Sequence, residues 1–184
     1  MARIVIIGDG PAGLGAALFL AKNGQDTVVY AQDDTLMHYA MLHNYLGVPD
    51  VSGSEFQHIA REQVTQFGAE IRDAKVTSVT ATDEGFVVTT EDAEEHADYV
   101  VLAGGRSSKA LADALGATET SRGAIRVDGD GRTSIERLYA AGHLVRPERS
   151  QAITSAGAGA AAALDVLSRE TGKDVHDWDS PKKD

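Results

Sequence analysis

Three glycines near the start of the chain have the type and spacing to hold a nucleotide diphosphate. Gly8-Asp9-Gly10-Pro11-Ala12-Gly13 follows the apolar run Ile4-Val5-Ile6-Ile7 and precedes a long apolar pattern of helical period. A buried strand that feeds G-x-G-x-x-G into a helix is the dinucleotide-binding arrangement. In it Gly8 permits the tight turn, Gly10 lets the backbone approach a pyrophosphate, and Gly13 lets the helix pack close on the strand. The helix end then offers unpaired N–H groups and the positive end of its dipole to the phosphates. An ordinary strand–turn–helix junction is the competing reading, and three glycines at this spacing make it the poorer one.

Other residues could carry proton or nucleophile chemistry. His38, His43 and His143 are the candidate catalytic residues, because imidazole titrates near physiological pH and can pass a proton to a bound cofactor or substrate. For His38 and His43 the competing reading is a surface or loop position beside Tyr39 and Tyr45. No H-x-x-x-H pair falls on an expected helix, so no metal site is expected. Ser107-Ser108 lacks a G-x-S-x-G elbow and reads as a polar loop. The chain has no cysteine, which excludes a disulfide, a thiolate metal site, an iron–sulfur cluster or a cysteine nucleophile within it.

The elements that must position these residues are legible in outline. A second strand, Thr27 to Tyr30, ends at Ala31, where an acid commonly holds a ribose hydroxyl. Alanine has no group for that task, and Gln32 and Asp33 are the nearby substitutes. An irregular stretch from Leu36 to Val51 follows. Ser54 reads as the N-cap of a helix with apolar spacing through Phe56, Ile59, Ala60, Val64 and Phe67, stopped by Gly68. From Glu70 to Val101 the pattern is one of short strands at Ile71, Val76–Ala81, Phe86–Thr90 and Tyr99–Leu102, with Asp83-Glu84-Gly85 as a hairpin turn. A short helix over Lys109–Leu115, strands at Ile125–Asp128 and Leu138–Ala141, and a last helix over Ala152–Glu170 complete the chain. Gly157 and Gly159 do not break that helix and would allow a ligand or neighbouring strand to come close. The expected fold class is α/β: a doubly wound, Rossmann-like parallel sheet with a small inserted antiparallel sheet. One domain is expected over 1–171, followed by a mobile charged tail over 172–184.

At 184 residues the chain has the length for one domain with a sizeable core. A net charge of −11 argues against nucleic-acid or anionic-membrane partners. The surface is acidic and poor in lysine, which suits either a halophilic protein or an ordinary acidic cytosolic one. No apolar run approaches the roughly 20 residues that a membrane span needs. Met1-Ala2-Arg3 leads directly into a strand, so no cleavable leader is expected and a cytoplasmic location is the default.

Beyond the opening motif, ordered matches run the length of the chain. They are Asn44-Tyr45-Leu46-Gly47, Gly53 with the helix ending Phe67-Gly68-Ala69-Glu70, Tyr99-Val100-Val101-Leu102-Ala103-Gly104, Leu138-Tyr139-Ala140-Ala141-Gly142, and Gln151-Ala152-Ile153-Thr154-Ser155-Ala156-Gly157-Ala158-Gly159. With the opening motif, this series resembles the flavin half of the low-molecular-weight thioredoxin reductases. The resemblance implies non-covalent FAD. Gly8, Gly10, Pro11, Ala12 and Gly13 would cradle its pyrophosphate, with Gln32 near the ribose and Asn44 at the isoalloxazine edge. Gly142 and His143 would stand beside the ribityl and phosphate groups. Gln151 and Ala152 would present backbone N–H groups to the flavin O2/N1 side. Three positions depart from the family pattern: Ala31 for the ribose acid, His143 for an aspartate, and Ser150 for an arginine, with Arg149 close enough to supply the charge.

That family inserts a nicotinamide-binding domain carrying Cys-x-x-Cys between the two parts of its flavin domain. Here Leu102-Ala103-Gly104-Gly105 runs straight into Arg106-Ser107-Ser108, and no second G-x-G-x-x-G occurs. The expected function is that of an FAD-binding oxidoreductase without thioredoxin reductase activity of its own. Its electrons would come from a diffusible nicotinamide or a separate redox protein. The alternative is a non-catalytic FAD- or nucleotide-binding module or redox sensor. A homodimer is expected, because loss of the insert would expose surface around Gly104–Ser107.

Overall fold

The computed structural model describes residues 1–180. The elements run β1 (Arg3–Ile7), α1 (Pro11–Lys22), β2 (Asp26–Ala31), β3 (Met41–Leu42), β4 (Val51–Ser52), α2 (Gly53–Gln66), β5 (Glu70–Asp73), β6 (Val76–Thr82), β7 (Gly85–Thr90), β8 (Glu94–Ala97), β9 (Tyr99–Leu102), α3 (Arg106–Ala114), β10 (Leu138–Ala140) and α4 (Ala152–Thr171). Five strands form one parallel sheet in the order β10-β9-β1-β2-β5. The order reverses direction at β1, so the carboxyl ends of β1 and β9 form the crevice where ligands of open α/β sheets bind. The α/β, Rossmann-like expectation holds.

Alternation along the strands sorts the core into two layers. Ile4, Ile6, Val29 and Val101 face α1 and α4. Val5, Ile7, Val28, Val100 and Leu102 face the other way, against Val79, Phe86 and Val88 of the antiparallel sheet and Leu111 of α3. The antiparallel sheet is β6-β7-β8, joined by the expected turn at 83–84.

Several local expectations are corrected. The strand at Ile71 belongs to the parallel sheet, paired with β2. The third antiparallel strand is instead β8, whose sequence Glu94-Glu95-His96-Ala97 carries no apolar run to announce it. The N-cap of α2 is Ser52, whose hydroxyl accepts from the Glu55 N–H at 3.1 Å, and Ser54 is already helical. The first helix after β9 starts at Arg106, so Ser107 and Ser108 lie in its opening turn rather than in a loop. Residues 125–128 form no strand; Ile125 makes a single bridge to Glu119. In the expected tail, Val175 packs on the core and Asp177 bonds to Lys22 at 2.9 Å, while 181–184 lie outside the described residues. Large exposed apolar side chains are absent at 104–107, where Gly105, Arg106 and Ser107 face solvent, and instead concentrate at Leu36, Tyr39, Met41 and Leu46.

Two features fix the layers. Helices α1 and α4 touch backbone to backbone: a Cβ on Gly159 would lie 1.9 Å from the Ala12 carbonyl oxygen. On the other face, Glu95 of β8 ties the antiparallel sheet to three parallel strands. It accepts from Tyr30 Oη at 2.5 Å, from Arg72 at 3.1 Å and from Arg3. Burial pushes the Glu95 carboxyl up, but these three donors together hold it below its ordinary range.

Gly159→Ala is expected to destabilise the fold by about 2 kcal/mol or more through overpacking. In a chain of this size that lowers the thermal midpoint by roughly 4–8 °C. Gly157→Ala, where a Cβ meets nothing within 4 Å, serves as its partner. It should leave the midpoint unchanged or raise it, alanine being the better helix former by up to about 1 kcal/mol. Equal losses in the two variants would contradict the packing assigned to α1 and α4. Glu95→Gln should cost about 1–3 kcal/mol at neutral pH, since it leaves two guanidinium groups short of a charged partner. A carboxyl held low in the folded state stabilises above its unfolded value, about 4.3 for glutamate, and loses that contribution as pH falls through the folded value. Urea titrations of the wild type and Glu95→Gln should therefore differ at pH 7 and converge in acid.

Candidate functional site

A cleft of about 180 Å³ opens at the carboxyl ends of β1 and β9. Its floor is the glycine turn. Gly8 has φ +107°, and a Cβ there would lie 2.6 Å from the Gly104 backbone, so only glycine allows the two turns to meet. Gly10 differs: a Cβ there meets only the Thr35 hydroxyl, at 3.5 Å, and otherwise points into the cleft. Gly10 is the N-cap of α1 and Gly105 the N-cap of α3, so neither helix has a side chain bonded to its first-turn N–H groups. Ala152, the first residue of α4, also lines the cleft. Three helix N-termini, each the positive end of a dipole, therefore converge on one opening.

Of the expected cofactor residues, Gly8, Gly10, Pro11, Ala12, Gly142, His143 and Ala152 line this cleft. Gly13 lies behind it, where a Cβ would sit 1.9 Å from the Gly8 carbonyl oxygen; its role is packing of α1 on β1. Gln32 is exposed beyond the end of β2 and outside the lining. Asn44 and Gln151 are also outside it and bond to each other, Asn44 Nδ2 donating to Gln151 Oε1 at 3.1 Å. The Gln151 N–H is already spent on the Thr154 hydroxyl and the Arg149 carbonyl, which leaves Ala152 as the member of that pair facing the cleft.

The histidines separate. His143 is at the rim, its Nδ1 2.9 Å from the Ser150 hydroxyl, so two of the positions that depart from the family pattern are bonded to each other. His38 is held between Ser54 and Asp33, and His43 pairs with Asp50 at 2.9 Å. Neither of the latter two lines the cleft. No group of three metal-ligating side chains occurs among the described residues.

Sequence reasoning missed two parts of the site. The segment Asp34-Thr35-Leu36-Met37 forms one wall. Its signal was Thr35, which caps a single 3-10 turn by accepting from the Met37 N–H. The second is Asp9 itself. Its side chain is only 4% exposed, its carboxylate meets Arg61 of α2, and its carbonyl accepts from Gln57 Nε2 at 2.6 Å. Burial pushes the Asp9 carboxyl above its ordinary range, against the pull of Arg61. An acid inside G-x-G, followed by an arginine on the next long helix, was the available clue.

A nucleotide diphosphate fits this donor set. Gly10 opens on the cleft with no Cβ, the glycine-capped starts of α1 and α3 reach its lining with no side chain bonded to their first-turn N–H groups, and the walls are polar at Thr35, His143 and Ser150, with the acids Asp9 and Asp34 also on the lining.

Comparison with known proteins gives the same architecture. Residues 43–160 match the family described as pyridine nucleotide-disulphide oxidoreductase. Thioredoxin reductase 1 of Saccharomyces cerevisiae is 34% identical over 122 residues, which cover 59% of this chain and 38% of that protein. Dihydrolipoyl dehydrogenase of Haloferax volcanii is 31% identical over 176 residues, covering 89% of this chain and 34% of that protein. The matches thus span between about a fifth and two fifths of the length of these curated relatives. A thioredoxin reductase from Gloeobacter violaceus superposes with a TM-score of 0.86 at 17% identity, over 97% of this chain and 99% of that one. At that identity the likeness speaks for the fold. The family match takes in well over half of the chain, and on it this chain belongs to the pyridine nucleotide-disulphide oxidoreductases, a family of flavoproteins.

Proposed function

We propose that the chain binds FAD non-covalently in the cleft and serves as an oxidoreductase, taking electrons from a diffusible nicotinamide or a separate redox protein. The observation that carries this reading is the open glycine turn, with Gly10 facing a cleft at which the N-termini of α1, α3 and α4 converge. Bound there, FAD supplies the electron-transfer chemistry; the protein's share is binding, orientation and electrostatics. The N–H groups of the first turn of α1 would hold the diphosphate. Asp34 and Thr35, which line the cleft beyond β2, would offer partners to hydroxyls of the adenosine side, in place of the absent ribose acid at Ala31. The N-terminus of α4 at Ala152 brings positive potential to the other end of the cleft, which favours a cofactor that gains negative charge. Of the three candidate histidines, His143, bonded to Ser150, is the one at the rim.

The chain has no cysteine, and reduction of a disulfide by exchange needs a thiolate to attack sulfur. Under this proposal its electrons go to small acceptors such as quinones, ferricyanide or oxygen, or to a docking protein. A homodimer and a cytoplasmic setting are part of the same proposal; no helix among the described residues is long and apolar enough to cross a membrane.

Purified protein should show flavin absorbance, and Gly10→Glu should be folded and colourless, because the substitution drives a side chain and a charge into the diphosphate position. Retention of the flavin spectrum in Gly10→Glu refutes the placement. Anaerobic titration with NADH and NADPH then tests the nicotinamide as electron donor. Rapid bleaching supports the oxidoreductase, whereas a flavin reduced only by dithionite supports a binding module or a protein electron donor. NADPH-dependent disulfide reduction by the FAD-loaded chain should be absent.

A further inference from the structure

We propose that Arg61 is a positioning residue for the cofactor diphosphate, and that it acts by neutralising Asp9 rather than by touching the phosphates. The inference rests on the reading of the cleft as an FAD site. Asp9 lies between the two glycines of the turn, with its side chain 4% exposed. Helix α2 grips it twice. Gln57 Nε2 donates to the Asp9 carbonyl at 2.6 Å, and Arg61, one turn on, meets the Asp9 carboxylate. Residues four apart share a helix face, so backbone and side chain of the same residue are clamped from one surface. The adjoining residue, Gly10, faces the cleft.

An unpaired carboxylate in this position would oppose a diphosphate, because charges in a partly desolvated site interact several times more strongly than in water. The other charge facing Asp9 is Asp33, whose carboxylate lies 3.9 Å from Arg61 and 3.1 Å from His38. Asp33 works in the same adverse direction as it pushes the Asp9 carboxyl up. Arg61 is thus the cation that stands between two acids under the phosphate turn. The arrangement also orients the turn: with its Nε2 on the Asp9 carbonyl, Gln57 is fixed, and its Oε1 is buried without a partner among the described residues.

The test measures binding of FAD and of ADP, which keeps the diphosphate and lacks the flavin, by titration calorimetry at fixed salt. Wild type, Arg61→Gln, Asp9→Asn and the double variant are compared, with folding checked by circular dichroism. Arg61→Gln should weaken both ligands about tenfold or more, the size expected of a charge interaction at this range. The double variant should return to within about threefold of the wild type. Asp9→Asn alone should bind as tightly as the wild type or tighter, a result that does not depend on Arg61→Gln folding. A double variant as weak as Arg61→Gln would mean that Arg61 serves the phosphates directly and would overturn the proposal. Wild-type affinity in Arg61→Gln, or weakened binding in Asp9→Asn, would overturn it as well. A wild type that binds neither ligand removes the cleft reading itself, and this inference with it.

Discussion

The arrangement depends on close backbone contact along one line through the molecule. Gly8 lies against Gly104, Gly13 against the Gly8 carbonyl, and Gly15 and Gly159 join α1 to α4, each at a distance that a Cβ would violate. The glycines are what let α1 sit on β1 and α4 sit on α1, and this places the N-termini of both helices at the same cleft. Packed interiors transmit such displacements rather than absorb them. The position of the positive helix ends is therefore set by the absence of side chains some distance behind them.

A chain with net charge −11 and a cleft proposed to hold an anion poses an electrostatic question. Surface carboxylates more than about 8–10 Å away are screened at physiological salt. What the cleft feels is local: three helix N-termini, the acids Asp9 and Asp34 on its lining, and the guanidinium of Arg61 that meets Asp9. The overall charge shapes solubility and the choice of macromolecular partners. It does not decide whether a diphosphate is tolerated in the turn.

The sheet, α1 and α4 were legible because their signals are long or redundant. β1 and β2 carry the apolar runs Ile4–Ile7 and Val28–Ala31, and α1 and α4 have helical period with glycines where helices touch. Weak signals failed for identifiable reasons. β8 is Glu94-Glu95-His96-Ala97, and what holds Glu95 is an ion-pair network with Arg3, Tyr30 and Arg72 that only tertiary structure assembles. Ser52 and Ser54 are both adequate caps in sequence, and the choice between them is made by the short β3–β4 pair that ends at Ser52. The glycine half of the site could be read directly because its chemistry is local. The Asp34–Met37 wall and the grip of α2 on Asp9 were missed, because their signals are single residues and they join segments some 25 to 50 residues apart.

The junction after β9 is a built structure rather than a bare surface. The Ala103 N–H continues the ladder to Ile7, the Gly104 N–H donates to the Ser108 hydroxyl at 3.1 Å, and that hydroxyl turns back to the Ile7 carbonyl. Ser108 is fully buried, so the short path from β9 into α3 is stitched to β1 by one side chain. The same path brings the α3 N-terminus to the cleft and leaves Gly105, Arg106 and Ser107 as the exposed residues beside it. Those are polar or without a side chain, whereas Leu36, Tyr39, Met41 and Leu46 are exposed apolar side chains, and Leu36 itself lines the cleft. Apolar area is what drives association. Beside the cleft the exposed apolar area therefore lies in the 36–48 segment, and the junction is a polar edge.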